Sequence, residues 1–425
     1  MTMEKFRLKL FSGLPRSIYV LLVAHTISGF GYFVVPYLSL YLNNTSGMDK
    51  DIIGIFIAVS TLAFIPGVII GGKLTDHYSR KKVLVTSRFI SALCLLVVLF
   101  ISDFYVKLIL ISLFTLFTAI ATPSNDALIA DLTPSHQRKQ AYSLVYLGAN
   151  FGGGIGSLVA GYAFKSYPDI IFIGEAVAIL VFVFLILTKI KESKDKIAAL
   201  NKEEIEESKR QENTTSNDGE NSISVLLKRP ILLIYIALSA AYTFSYAQNY
   251  FCLPLFIDSN FPLKSSYYFG ILMLANSIVV ICCTAWITKV TIKFSPVFNM
   301  FIVGLFYAFG FGMHYMINTF YLLVVATVLW TVGEILYNTN YTVFIVEKSP
   351  YEYRGRMISI ASLVTRGATI INPLIMGKII QRGNSRTVWL IVFFIMAVAS
   401  ISMFYLSVLE NRDRNLELEA SIDYH

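Results

Sequence analysis

Glu334 is the residue whose position most demands an explanation. It sits in Trp330-Thr331-Val332-Gly333-Glu334-Ile335-Leu336-Tyr337, inside a long apolar run. A charge at mid-bilayer costs about 2.5–3.5 kcal/mol on insertion scales, so a carboxylate kept there marks an ion or substrate path. At 1.5 Å per residue it lies about 20 Å from the outer end of its run, close to the midplane. There it can carry a proton, receive a cation, or pair with Arg366, which stands at a similar depth on the following run. Asp126 and Asp131 lie beyond Pro123 on another run. Asp126 sits deeper and suits a proton relay. Asp131 suits a relay or a structural corner, paired with Arg138 or with the other half of the chain. His25 and Glu175 are further intramembrane candidates, although a lone histidine in such a run is more often a hydrogen-bonded packing residue.

Other chemistry is missing from the sequence. Cys94, Cys252, Cys282 and Cys283 all fall in apolar runs, with no spacing for a metal site or a disulfide framework. There is no Walker loop, no H-E-x-x-H and no G-x-S-x-G, so no ATPase or hydrolase is indicated. We therefore expect no catalytic residues, no metal, no cofactor and no enzyme.

The elements that must position these acids are membrane spans. Hydrophobic residues make up 56% of the 425 and charged residues 15%, against about 25% charged in an ordinary soluble chain. The net charge of +8 comes in short clusters between apolar runs, which argues for membrane loops and against nucleic acid. A spanning helix needs about 20 mostly apolar residues. Twelve runs qualify: 18–42, 52–72, 83–101, 105–132, 141–164, 170–190, 230–257, 267–289, 296–317, 320–346, 358–380 and 387–409. The first is too long for a signal-peptide core. This divides the chain into a tail (1–17), a six-helix bundle (18–190), a polar linker (191–229) with a short helix expected near 198–210, a second six-helix bundle (230–409) and a tail (410–425). One set of ends holds Lys5, Arg7, Lys9, Arg16, Lys73, Arg80, Lys81, Lys82, Arg138, Lys139, Lys289, Lys293, Lys348, Arg354 and Arg356. The other holds Lys50, Lys107, Lys165, Lys264, Arg382 and Arg386. The positive-inside rule then places both termini and the linker in the cytoplasm.

The two bundles repeat. A shift of 216 residues lays Asp131 on Glu347, Pro134 on Pro350, Arg138 on Arg354, Ser143 on Ser359 and Gly161 on Gly377. Between the second and third runs stands Gly72-Lys73-Leu74-Thr75-Asp76-His77-Tyr78-Ser79-Arg80-Lys81-Lys82. It resembles the signature loop G-x-L-[AS]-D-[RK]-x-G-[RK]-[RK] of the major facilitator superfamily at Gly72, Leu74, Asp76, Arg80 and Lys81. His77 and Ser79 depart from it. In such a loop Asp76 can accept hydrogen bonds from Arg80 or from a helix N-terminus and act as a latch. The fifth run carries Gly148, Gly152 and Gly156, and resembles the superfamily's antiporter motif with Gly153 where proline is usual. Glycines four apart also let a neighbouring backbone come close.

The resemblance implies an all-α integral membrane fold of twelve transmembrane helices in two pseudo-symmetric six-helix bundles, with substrate bound between the halves near the midplane. The run around Glu334 is similar to a segment of twelve-helix drug–proton antiporters. That implies a monomeric exporter of the cytoplasmic membrane, moving small lipophilic or cationic compounds by alternating access and powered by the proton gradient. Aromatic residues Phe30, Tyr32, Phe33, Tyr242, Phe244, Tyr246, Tyr250 and Phe251 suit such a substrate. Export of one endogenous metabolite, such as a metal-chelating siderophore, and proton-coupled nutrient uptake stay open. The arginine common on the fourth helix of such antiporters has no counterpart in 108–123.

Overall fold

A computed structural model describes residues 13–190, 222–350 and 353–422. Lys5, Arg7, Lys9 and the linker helix expected near 198–210 lie outside the described residues. Helices follow the apolar runs because only a helix satisfies every backbone group within one segment in lipid. The first run forms α1 (Arg16–Phe30) and α2 (Val34–Ser46), and the second α3 (Lys50–Leu62) and α4 (Phe64–His77). Then come α5 (Arg80–Val98), α6 (Phe104–Asp131), α7 (Arg138–Phe164) and α8 (Ile170–Lys189). A short α9 (Ser222–Leu227) precedes the broken seventh run, α10 (Pro230–Tyr246) and α11 (Cys252–Asn260). The rest are α12 (Ser265–Thr291), α13 (Pro296–Gly312), α14 (Phe320–Lys348), α15 (Arg354–Arg382) and α16 (Thr387–Ile422).

Among the described residues, eleven helical segments are long and apolar enough to cross a membrane. The twelfth crossing is α5, whose 19 residues include Arg80, Lys81, Lys82 and Arg88. Large apolar side chains such as Val23, Phe184, Phe309, Val398 and Ile401 are more than half exposed. A soluble protein would bury such a surface, and lipid covers it here.

The chain divides into two compact units. One is 1–46, 56–217 and 266–277; the other is 47–55, 218–265 and 278–425. Each unit holds the same pair of close approaches. In the first unit Gly161 abuts the Ser266 carbonyl and Gly270 abuts the Ser157 carbonyl. In the second unit Gly377 abuts the Lys50 carbonyl and Gly54 abuts the Pro373 carbonyl. All four residues of one set map onto the other at the 216-residue offset read from the sequence. The repeat is thus a repeat of backbone contacts, made where no Cβ would fit.

Candidate functional site

In the second unit α14 carries Glu334 half-buried into a cavity of about 70 Å³ lined by Tyr242, Thr243, Tyr246, Tyr307, Tyr337 and Asn338. Tyr246 hydrogen-bonds to the Glu334 carboxylate. Tyr246 and Tyr307 stack at 6.1 Å and 25°, and Tyr242 and Tyr337 at 6.3 Å and 26°. The Tyr242 hydroxyl donates to the Met300 carbonyl at 2.9 Å, which fixes its ring in place. Gly333 lets the Tyr307 ring lie directly on α14 beside the acid, since a Cβ there would stand 2.7 Å from the ring. A carboxylate framed by four phenol rings is suited to cations, which gain from the charge and from the ring faces together. Arg366 stands on the following helix, α15, where its side chain is exposed. Tyr242 and Tyr246 were candidates from the sequence. Tyr307, three helices along the chain, was not, because nothing local links it to Glu334.

The first unit gathers a different set. His25 on α1 bonds Asn125 on α6 at 2.9 Å, and its ring meets Phe182 edge-on at 5.3 Å. The Arg88 guanidinium lies over the same Phe182 ring at 5.8 Å and within electrostatic reach of Glu175. Glu175 Oε2 accepts the backbone N–H groups of Phe33 and Val34 at 3.1 and 2.7 Å. Those donors are freed by the break between α1 and α2, so Glu175 caps the N-terminus of α2 from a neighbouring helix. Arg88 was missed in the sequence, although an arginine amid apolar residues of a span was the available signal. Asp126 is exposed and takes a weak 3.4 Å contact from Asn125, while Tyr142 donates to its backbone carbonyl at 2.6 Å.

The loop between α4 and α5 is anchored differently from expectation. Arg80 does not reach Asp76; it pairs with Asp131 at the end of α6 and also donates to the Ala127 carbonyl at 3.3 Å. Asp131 therefore bonds Arg80 and not Arg138. The cause is geometric: Arg80 begins α5, which packs along α6, whereas Asp76 is exposed at the end of α4. Lys81 donates to the Leu187 and Ile190 carbonyls at 3.0 and 2.6 Å, and so caps the C-terminus of α8. Gly72 has open space around it. The Arg80–Asp131 pair is about a third exposed on each side, so it contributes about 0–1 kcal/mol and is screened by salt. Asp131→Asn should therefore lower thermal stability slightly at low salt and not measurably at high salt. A melt of the detergent-solubilised protein at both ionic strengths checks this.

Glycine spacing on α7 has a direct structural meaning. Cβ atoms at Gly152 and Gly156 would collide with the Thr26 and Phe30 carbonyls of α1. A Cβ at Gly148 would stand 2.5 and 2.7 Å from the Leu22 and Thr26 side chains.

Among the described residues no group of three His, Cys, Asp or Glu side chains is placed to hold a metal. The architecture is that of a multi-pass membrane transporter, with ionisable groups held inside the spans. Residues 21–373 match the Major Facilitator Superfamily, and the chain belongs to that family. It is a transporter, not an enzyme. It is 22% identical over 84% of its length to the Na(+), Li(+), K(+)/H(+) antiporter of Planococcus maritimus, covering 88% of that protein. It is 23% identical over 91% of its length to the MFS-type transporter YhjO of Bacillus subtilis, covering 90% of it. A solved peptide transporter, POT, superposes with a TM-score of 0.74 at 16% identity, covering 95% of this chain and 96% of that one. The nucleoside transporter NupG gives 0.72 at 17%, covering 91% and 99%. These likenesses show the fold.

Proposed function

We propose that the protein is a proton-coupled antiporter of the cytoplasmic membrane that exports small lipophilic or cationic compounds by alternating access, as a monomer with both termini in the cytoplasm. The observation that carries this reading is Glu334 in its tyrosine-lined cavity, where one carboxylate can hold either a proton or a cation. Exchange follows because the two compete for the same charge. A second reading, exchange of an inorganic monovalent cation for a proton, is favoured by the name of the Planococcus maritimus relative.

The energetics separate kinds of cargo. One proton exchanged for one monovalent cation moves no net charge, so about one pH unit supplies about 1.4 kcal/mol and sustains about a tenfold gradient. A neutral substrate adds about 2.3 kcal/mol from about 100 mV, which raises that to a few hundredfold. In energised everted vesicles a lipophilic cation should accumulate and release lumenal protons as it enters. Collapsing the potential alone should spare this, and collapsing the pH gradient should abolish it. Accumulation of substrate down the proton gradient in proteoliposomes would establish uptake and overturn the export reading.

A further inference from the structure

The interruption of the seventh span carries three buried residues with neutral side-chain oxygens, and a fourth reaches the same turn from α15. α10 ends at Tyr246, a single 3-10 turn covers Ala247–Asn249, and α11 begins at Cys252. Ser245, Gln248 and Asn249 are spaced i, i+3 and i+4 and so share one face of this turn. Asn372, just before Pro373 on α15, donates through Nδ2 to the Phe244 carbonyl at 2.8 Å, which brings its side chain to the same turn. None of the four residues is more than 1% exposed. Yet Ser245 Oγ, Gln248 Oε1 and Nε2, Asn249 Oδ1 and Asn372 Oδ1 have no hydrogen-bond partner among the described residues. The hydroxyls of Ser239 and Thr243 in the same span behave differently: each bonds the carbonyl four residues back, at 2.8 and 3.3 Å. Ser245 does not. Buried polar side chains are nearly always satisfied, and a group of orphans on one turn points to a ligand.

We infer that the turn at 245–249, together with Asn372, coordinates a monovalent alkali cation of the sodium class. The charge argument comes from two sources. The C-terminal end of the 17-residue helix α10 carries the negative pole of its dipole and abuts the turn. Broken helices use such ends, and the carbonyls freed beside them, to hold sodium within membranes. The ligand set sets the class. Hydroxyl and amide oxygens suit hard cations, divalent ions draw on carboxylates, and transition metals on nitrogen or sulfur. None of the four side chains titrates, so protons are not the ligand. The site is separate from Glu334 but adjoins it: Tyr246, the residue after Ser245, bonds the Glu334 carboxylate. A coupling role for the bound ion rests on the reading of Glu334 given above, whereas binding itself does not.

The test is sodium titration of the full chain in detergent, with choline replacing sodium at constant ionic strength. Sodium should raise the melting temperature saturably and slow amide exchange across 244–250. Gln248→Met and Asn372→Leu, which keep the volume, should each raise the half-saturating sodium concentration about tenfold or more. Ser245→Ala, the mildest change, guards against variants that fail to fold. Glu334→Gln should retain the sodium response even if proton-driven export is lost, which separates the two proposals. A response no greater than that of choline means the turn holds only water and overturns the inference. A response that survives in all three variants, or one lost in Glu334→Gln alone, overturns it as well.

Discussion

Glu334→Gln should leave a folded, expressed protein that no longer couples transport to a pH gradient. Glutamine is nearly isosteric and its Oε1 still accepts from Tyr246, so the cavity and its stacked rings keep their shape. What disappears is the only titratable carboxylate among the residues lining that cavity. Uphill accumulation in vesicles should fall to the level set by passive equilibration. If the carboxylate also receives the cation, affinity falls too. Hydrogen bonds to charged groups contribute about 1.5–3 kcal/mol, which is about ten- to a hundredfold in dissociation constant. Glu334→Asp keeps the charge but draws it back by one methylene from Tyr246, so coupling should persist with weaker binding. Measuring proton-driven accumulation and substrate binding side by side for both variants decides the matter. Undiminished accumulation in Glu334→Gln would remove the acid from the coupling path.

The same residue shows what the sequence can and cannot display. Glu334 was visible because an acid inside an apolar run breaks a one-dimensional pattern. The spans and the 216-residue repeat were visible for the same reason, and the repeat reappears as paired close approaches at Gly161 and Gly377. The surroundings of Glu334 were only half visible. Tyr242 lies in the quoted aromatic run and Tyr337 in the Glu334 segment itself, but Tyr307 joins them only through the packing of α13 on α14. The pairing of Asp131 was misjudged because Arg138 is close in sequence while Arg80 is close in space. Breaks in the spans were least legible. Neither Gln248 nor Asn249 is a helix breaker, and the contact made there, Asn372 of α15 on the Phe244 carbonyl, joins residues far apart in the sequence. Polar residues at i, i+3 and i+4 in an apolar span were the available signal.

Gly152→Ala and Gly156→Ala should be among the most damaging single-methyl changes in the chain, and Gly153→Ala should be almost silent. At the first two positions the new methyl would strike the Thr26 and Phe30 carbonyls of α1, and backbone cannot step aside as a flexible side chain can. At Gly153 the nearest atom is the Gly29 carbonyl at 3.8 Å, an ordinary contact. Small residues at a membrane helix interface supply the packing that the hydrophobic effect cannot supply in lipid. Prising α7 from α1 should therefore cost about 1–3 kcal/mol or more at each of the two sites. The same shift would disturb the break between α1 and α2, where the Phe33 and Val34 amides reach Glu175. Thermal melts and folded yield of the three variants in one detergent check the order. Equal tolerance at 152 and 153 would mean that α1 and α7 do not approach this closely. Loss at all three would point instead to contacts beyond α1, because helix propensity favours alanine over glycine at every one of these positions.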